Sequence, residues 1–308
     1  MDQYLVYDIG GTHIKSALLD GEGKVLKRFD LFAAPKGEGK TINDLVDLLE
    51  EKINRHQKKI EGIAISMPGI LDCVSGTSLT FGAIDYPTPF NLVEIIKERY
   101  GIYATIHNDG KAAALAELWK GKLKDVDNGA VILLGTGVGG GIIIDGKLYT
   151  GKHFYAGEFS YLCVNDERAQ DEDMSGFWGK IGGIQQLIYY VAEKTGKAEE
   201  KLNGVKIFEL MNAGNKKAIA ALEQYVYSLV IQIYNLQMIL DLDVIAIGGG
   251  ISRQPILMEY IQKHIDAYYN MGPQGLVKGI EIKPNVTCCK FFNDSNMVGA
   301  LYHHLMQK

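Results

Sequence analysis

Asp8-Ile9-Gly10-Gly11-Thr12-His13-Ile14-Lys15 is the stretch with the richest chemistry. Asp8 can hold a Mg²⁺ ion through water. Gly10 and Gly11 carry no Cβ, so successive backbone N–H groups there can close on an anion as a concave nest. Thr12 adds a hydroxyl and Lys15 a cation, which completes a set of donors suited to phosphate. Taken alone, the stretch reads equally as a hairpin with a glycine-rich turn. A second copy tips the balance: Leu134-Gly135-Thr136-Gly137-Val138-Gly139-Gly140-Gly141 repeats the glycine–threonine loop. Two such halves facing each other would hold the terminal phosphates of a nucleotide from both sides, with Thr12 and Thr136 across a cleft.

Three other spots carry candidate chemistry. His107-Asn108-Asp109 stands where a short strand, 103–106, hands over to an Ala-rich helix over 111–118. Asp109 there suits either the N-cap of that helix or a general base at the mouth of a cleft. Met67-Pro68-Gly69 breaks the apolar strand 60–66 at a carboxyl edge, where α/β sheets make ligand contacts or simply turn. Gly248-Gly249-Gly250 follows the apolar run 243–247, and bare backbone there can underlie a flat ring or ribose, or admit close helix–strand packing.

The elements that must position these residues follow from periodicity. Alternation over 4–9, 13–19 and 24–29, with turns at the glycine loop and Asp20–Gly23, predicts a three-stranded meander. Residues 129–149 repeat the order strand, Gly/Thr loop, strand, Asp145-Gly146 turn, strand. Helical spacing appears over 42–53, 92–100, 183–195, 205–212 and 216–240, and again after Pro255. An N-capped helix over 294–308 closes the pattern, with His303 and His304 expected on the surface. The polar run 119–128 marks a domain crossing. The expected division is a small lobe of residues 1–118 plus about 292–308 and a large lobe of 119–291.

Composition narrows the classes. The chain has 308 residues, 47% hydrophobic and 22% charged, with a net charge of −5, which argues against a nucleic-acid-binding surface. Its 36 glycines among apolar runs point to tight turns and close backbone approaches. Cys73, Cys163, Cys288 and Cys289 show neither a disulfide framework nor zinc-ligand spacing. No basic leader precedes the first strand, and no apolar run reaches ~18 residues. A cytoplasmic protein without a membrane span is expected.

Taken together, these residues resemble the ROK family of sugar kinases, in the hexokinase–actin superfamily. The resemblance rests on the two glycine–threonine stretches, Ser66-Met-Pro-Gly-Ile-Leu-Asp72, Asn108-Asp109-Gly-Lys-Ala-Ala-Ala-Leu-Ala-Glu117, Gly157-Glu158 and Gly248-Gly-Gly-Ile-Ser252, in the family's order. It implies an α/β fold of two actin-like (ribonuclease H-like) domains, a duplicated βββαβαβα core with an ATP cleft between the lobes. By that resemblance Asp109 would deprotonate the sugar hydroxyl, while Gly69, Asn108 and Glu158 would hold the sugar. Asp8 would position Mg²⁺, Gly10–Thr12 and Gly135–Gly137 would hold phosphates, and Gly249–Gly250 would lie under adenosine. The lobes would close on the sugar and exclude water. Family relatives are commonly dimers, so a homodimer is open.

The departures bear on the substrate. Where many relatives have Glu-x-Gly-His and then a cysteine-rich zinc motif, this chain has Glu158-Phe159-Ser160-Tyr161 and no cysteine over 166–183. The family's sugar-contacting Asn is not evident in 81–85. No zinc site is expected, and the pattern is similar to β-glucoside kinases. Tyr161 and Trp178 could stack on a second sugar ring or could be packing residues. The function implied is transfer of the γ-phosphate of ATP to the 6-hydroxyl of a hexose or β-glucoside. The alternatives are an N-acetylmannosamine kinase and a non-catalytic sugar sensor or regulator. A DNA-binding repressor of this family carries a helix-turn-helix ahead of the core, and only seven residues precede Asp8.

Overall fold

The computed structural model describes residues 2–80, 82–84, 86–271 and 283–308. Phe81 and Asp85, in the stretch where the family's Asn was sought, lie outside them. The chain forms two compact units, one of residues 1–121, 148–157 and 293–308, the other of 122–147 and 158–292.

In the first unit the meander is β1 (Gln3–Ile9), β2 (His13–Asp20) and β3 (Val25–Arg28), followed by β4 (Phe32–Ala33) and α1 (Ile42–His56). Then come β5 (Gly62–Met67), the small strands β6 (Leu71–Asp72), β7 (Thr77–Ser78) and β8 (Phe90–Asn91), α2 (Leu92–Tyr100), β9 (Ala104–Asn108) and α3 (Asp109–Lys120). The main sheet runs β3-β2-β1-β5-β9, antiparallel through the meander and parallel from β1 onward. Its inner strands are apolar on both faces, as a covered parallel sheet requires. Leu45, Val46, Leu49 and Ile53 of α1 are fully buried on it, each worth ~1.5–3 kcal/mol over exposure. A capping box between Thr41 and Asp44 starts α1, and the bonds from Lys40 and the Thr41 backbone lower the Asp44 carboxyl to about 2.

The second unit repeats the plan. Its elements are β10 (Gly129–Leu134), β11 (Val138–Ile144), α4 (Trp178–Ile181), α5 (Ile184–Thr195), α6 (Gly204–Asn212), α7 (Lys216–Leu240), β13 (Val244–Gly248), α8 (Pro255–Met271) and β14 (Val286–Cys288). Its sheet is extended by β12 (Lys147–Tyr149), of which residues 148 and 149 group with the first unit. The sheet order β12-β11-β10-β13-β14 matches the first sheet strand for strand. Asp145 and Gly146, at φ 50° and 67°, form the two-residue turn that the Asp-Gly pair predicts. The long stripe of α7 is the core face, with Leu222, Val226, Leu229, Val230 and Ile233 buried. The duplicated α/β core expected from the repeat is therefore the fold observed.

The last helix, α9 (Ser295–Met306), corrects two expectations. Asp294 makes no side-chain capping bond. It accepts a bidentate pair from Arg28 instead, at 2.7 and 2.6 Å. His303 and His304 are not on the surface, with exposures of 4% and 0%. The reason is steric. Gly299 has no Cβ to strike the Ala112 carbonyl, and Gly62 leaves the space that the His304 ring fills. Glycine at both positions lets α9 sink between α3 and the sheet.

Candidate active site

The parallel register aligns the carboxyl ends of three strands in the first unit. Asp8 pairs with Ser66, Ser66 with His107, and Met67 with Asn108. Asp8 is 6% exposed, and its carboxylate is held by donors from three elements. Lys15 Nζ donates to Oδ2 at 3.0 Å, Asn296 Nδ2 to Oδ1 at 3.0 Å and Ser66 Oγ to Oδ1 at 3.4 Å. Lys15 is the antiparallel partner of Asp8, so the hairpin itself brings cation to carboxylate. At the turn, Gly10 N–H donates to His13 O at 2.9 Å, and a Cβ on Gly11 would stand 2.8 Å from Ala83. Thr12 is exposed, and its carbonyl accepts from Ala34 N–H at 3.0 Å.

The strand-to-helix junction assigns the cap differently from one of the two roles open to Asp109. Asn108 is the N-cap of α3, its Oδ1 accepting from Lys111 N–H at 3.1 Å. The other end of the same amide donates to Gly69 O at 3.0 Å, which ties β9 to the turn after β5. Gly69 sits at φ 104° with the Thr80 carbonyl where a Cβ would go, so glycine is required there. Asp109 becomes the first helical residue, half-buried, its Oδ1 accepting from Gly110 N–H at 2.8 Å. A carboxylate at that position is favoured by the helix dipole. Behind it, His107 is buried edge-on to His303 with ring centroids 4.6 Å apart. Burial, and then the neighbouring His303 and Lys111, hold its pKa well below the usual imidazole value.

In the second unit β10 and β11 pair up to Leu134 and Val138, which pinches Gly135-Thr136-Gly137 into a tight loop. Gly135 N–H donates to Gly137 O at 2.9 Å, and Ile184 N–H donates to Gly135 O at 2.9 Å. Gly183 lies against the Thr136 carbonyl, and a Cβ on Gly137 would stand 2.8 Å from Gly179 O. The segment that enters α5 thus braces the loop from behind. Gly249, at φ 90°, lies against Leu134 at the end of β10, whereas Gly250 faces open space. The loop and the glycine platform are neighbours in this unit.

Glu158 precedes and Tyr161 ends a single 3₁₀ turn, Phe159–Tyr161, with Tyr161 N–H donating to Glu158 O at 3.1 Å. Tyr161 is 50% exposed, whereas Trp178 is 3% exposed and packs on Phe159 with centroids 6.0 Å apart. This enclosure favours the packing reading for Trp178. Among the described residues no group of three or more His, Cys, Asp or Glu converges to hold a metal. The buried carboxylate of Asp8 does suit Mg²⁺, which commonly takes one protein carboxylate through water and completes its shell with phosphate oxygens. Two contacts to Asp8 were not foreseen: Ser66 was noted only within its motif and Asn296 not at all.

The ROK family model matches residues 4–306. A β-glucoside kinase of Listeria monocytogenes is 28% identical over 302 residues, covering 98% of this chain and 97% of that protein. An N-acetylmannosamine kinase of Vibrio cholerae is 31% identical over 266 residues, covering 85% and 89%. Among solved structures, a ROK family protein of Streptococcus pneumoniae in complex with sucrose superposes with a TM-score of 0.84 at 28% identity, covering 99% and 98% of the two chains.

Proposed function

Because the chain belongs to the ROK family, we propose that it is an ATP-dependent sugar kinase that phosphorylates the 6-hydroxyl of a hexose or β-glucoside. The observation that carries this reading is the junction of β9 and α3. There Asn108 caps the helix and the Asp109 carboxylate stands at its first residue, beside the turn of Gly69 to which Asn108 is bonded. In the first unit Asp109 accepts the proton of the attacking hydroxyl, and Asn108 and Gly69 orient the sugar. The oxygen of that hydroxyl bonds to the γ-phosphorus as the bridge to the β-phosphate breaks, and ADP leaves with the bond electrons. Asp8 would hold Mg²⁺ through water, and Gly11, Thr12 and Lys15 would donate to phosphate at the turn that Gly10 shapes with its N–H on His13 O. Mg²⁺, when bound, neutralises charge on the β- and γ-phosphates. In the second unit Gly135, Thr136 and Gly137 bind phosphate, Gly249 and Gly250 underlie adenosine, and Glu158 and Tyr161 contact sugar hydroxyls. Use of ATP as donor is consistent with a cytoplasmic location.

ADP release with Mg²⁺ and ATP, measured across cellobiose, gentiobiose, glucose, fructose and N-acetylmannosamine, tests the reading. Activity on a β-linked disaccharide or glucose that Asp109→Asn abolishes supports it. N-acetylmannosamine as the preferred substrate would favour the second reading, to which the 31% identical Vibrio relative lends weight. No turnover on any sugar would leave a sugar sensor.

A further inference from the structure

We propose that Asn296, on the first turn of α9, is a positioning residue that holds Asp8 in the orientation required to carry Mg²⁺. The inference rests on the kinase reading. Its basis is the set of donors around a single buried carboxylate. Lys15 reaches Oδ2 from β2, while Ser66 from β5 and Asn296 from α9 reach Oδ1. The orientation of the amide follows from chemistry, because an ionised carboxylate only accepts and the NH₂ group must therefore face it. Asn296 Oδ1 meanwhile accepts from Ser295 Oγ at 3.1 Å, which is consistent with that choice.

The three donors differ in stiffness. Lys15 is a point charge on a flexible stem whose side chain is 46% exposed. Ser66 stands at the long limit of a hydrogen bond, 3.4 Å. Asn296 is short-armed and belongs to a helix sunk into the fold at Gly299, with Met297, Val298 and Leu301 buried beside it. It is the one contact that sets both distance and direction. A carboxylate offers about four lone-pair sites. Among the described residues three donors reach it and leave about one site, the acceptor a metal-bound water would need. Without Asn296 the carboxylate can rotate toward Lys15, and the open lone pair turns with it.

The test uses the full chain with Asn296→Ala and with Asn296→Leu, which keeps the branched outline of the side chain without its donor and does not lower helix propensity. Calorimetric binding of ADP in the presence of Mg²⁺, and of ADP in EDTA, gives a readout that needs no turnover. Both variants are expected to lose roughly tenfold in affinity for the Mg²⁺ complex, within the range outer-sphere partners give, with ADP binding in EDTA unchanged. The Mg²⁺ concentration for half-maximal ADP release should rise in parallel. Wild-type affinity for Mg²⁺·ADP in the variants would overturn the proposal, as would equal losses with and without Mg²⁺. Absence of sugar turnover in the unaltered protein refutes the kinase reading instead, and the calorimetry still decides the metal contact.

Discussion

Asn108 and Asp109 are adjacent carboxamide and carboxylate with separate tasks, and mutation should separate them. Asp109→Asn leaves the cap and the Gly69 tie intact, so the melting temperature should hold while turnover falls by ~10²–10⁴, the usual worth of a general base. Asn108→Ala removes the cap and the bond to Gly69 together, and unfolding should show a loss of ~0.5–2 kcal/mol for the cap alone. An unchanged melting temperature would remove the capping role. The two aromatics diverge likewise. Trp178→Ala should cost ~3–5 kcal/mol by emptying a core position, whereas Tyr161→Ala should leave stability alone and change KM for the sugar. The placement of these residues was legible in the sequence, because apolar strands that run into Gly10, Gly69 and Asn108-Asp109 set those residues at the carboxyl ends of β1, β5 and β9. The cap was not, since Asn and Asp are equally good caps and only the backbone angles decide between them. Trp178 was ambiguous for a related reason: the same indole that suits a ligand also suits a core.

At the scale of elements, α9 does the most that its sequence did not announce. Its apolar spacing was readable, but its two histidines were expected in solvent, because the small partners that admit them, Gly62 and Gly299, lie on distant segments or look like ordinary helix glycine. Burial draws His303 and His304 down to about 4, and His107 lies well below its usual value. The ordinary imidazole value is near 6.5. Above it all three rings are neutral whether the chain is folded or not, and stability is complete. Below it the unfolded chain takes up protons that the folded chain refuses, so stability falls as pH drops from about 6.5 toward 4. Urea midpoints measured between pH 7 and pH 5 should decline, and His303→Leu should flatten that decline. A slope unchanged by the substitution would assign it elsewhere. Gly299→Val, which forces a side chain onto the Ala112 carbonyl, should destabilise the first unit by more than the ~1–3 kcal/mol of ordinary overpacking, since backbone must move.

For the whole molecule, the duplicated plan was the most legible property. Two strand–loop–strand repeats fix two equivalent sheets, and the order β3-β2-β1-β5-β9 recurs as β12-β11-β10-β13-β14. The expected division already assigned about 292–308 to the lobe of residues 1–118, across the whole intervening stretch. What local patterning did not offer is that residues 148–157 group with 1–121 and 293–308. The return of α9 has a consequence for how the protein is made. A nascent chain leaves the ribosome at ~5–20 residues per second, and 293 minus 121 gives 172 residues between α3 and the segment that completes its unit. The first unit therefore waits roughly ten to thirty seconds with the sheet face beside α3 unfilled and Asp8 lacking its amide. A chain cut short before residue 293 would lack α9 and leave that face uncovered. Synthesis has to run past Asn296 before Asp8, the carboxylate proposed to hold Mg²⁺, receives its amide donor, so the helix that completes this contact forms only after the intervening half has been translated.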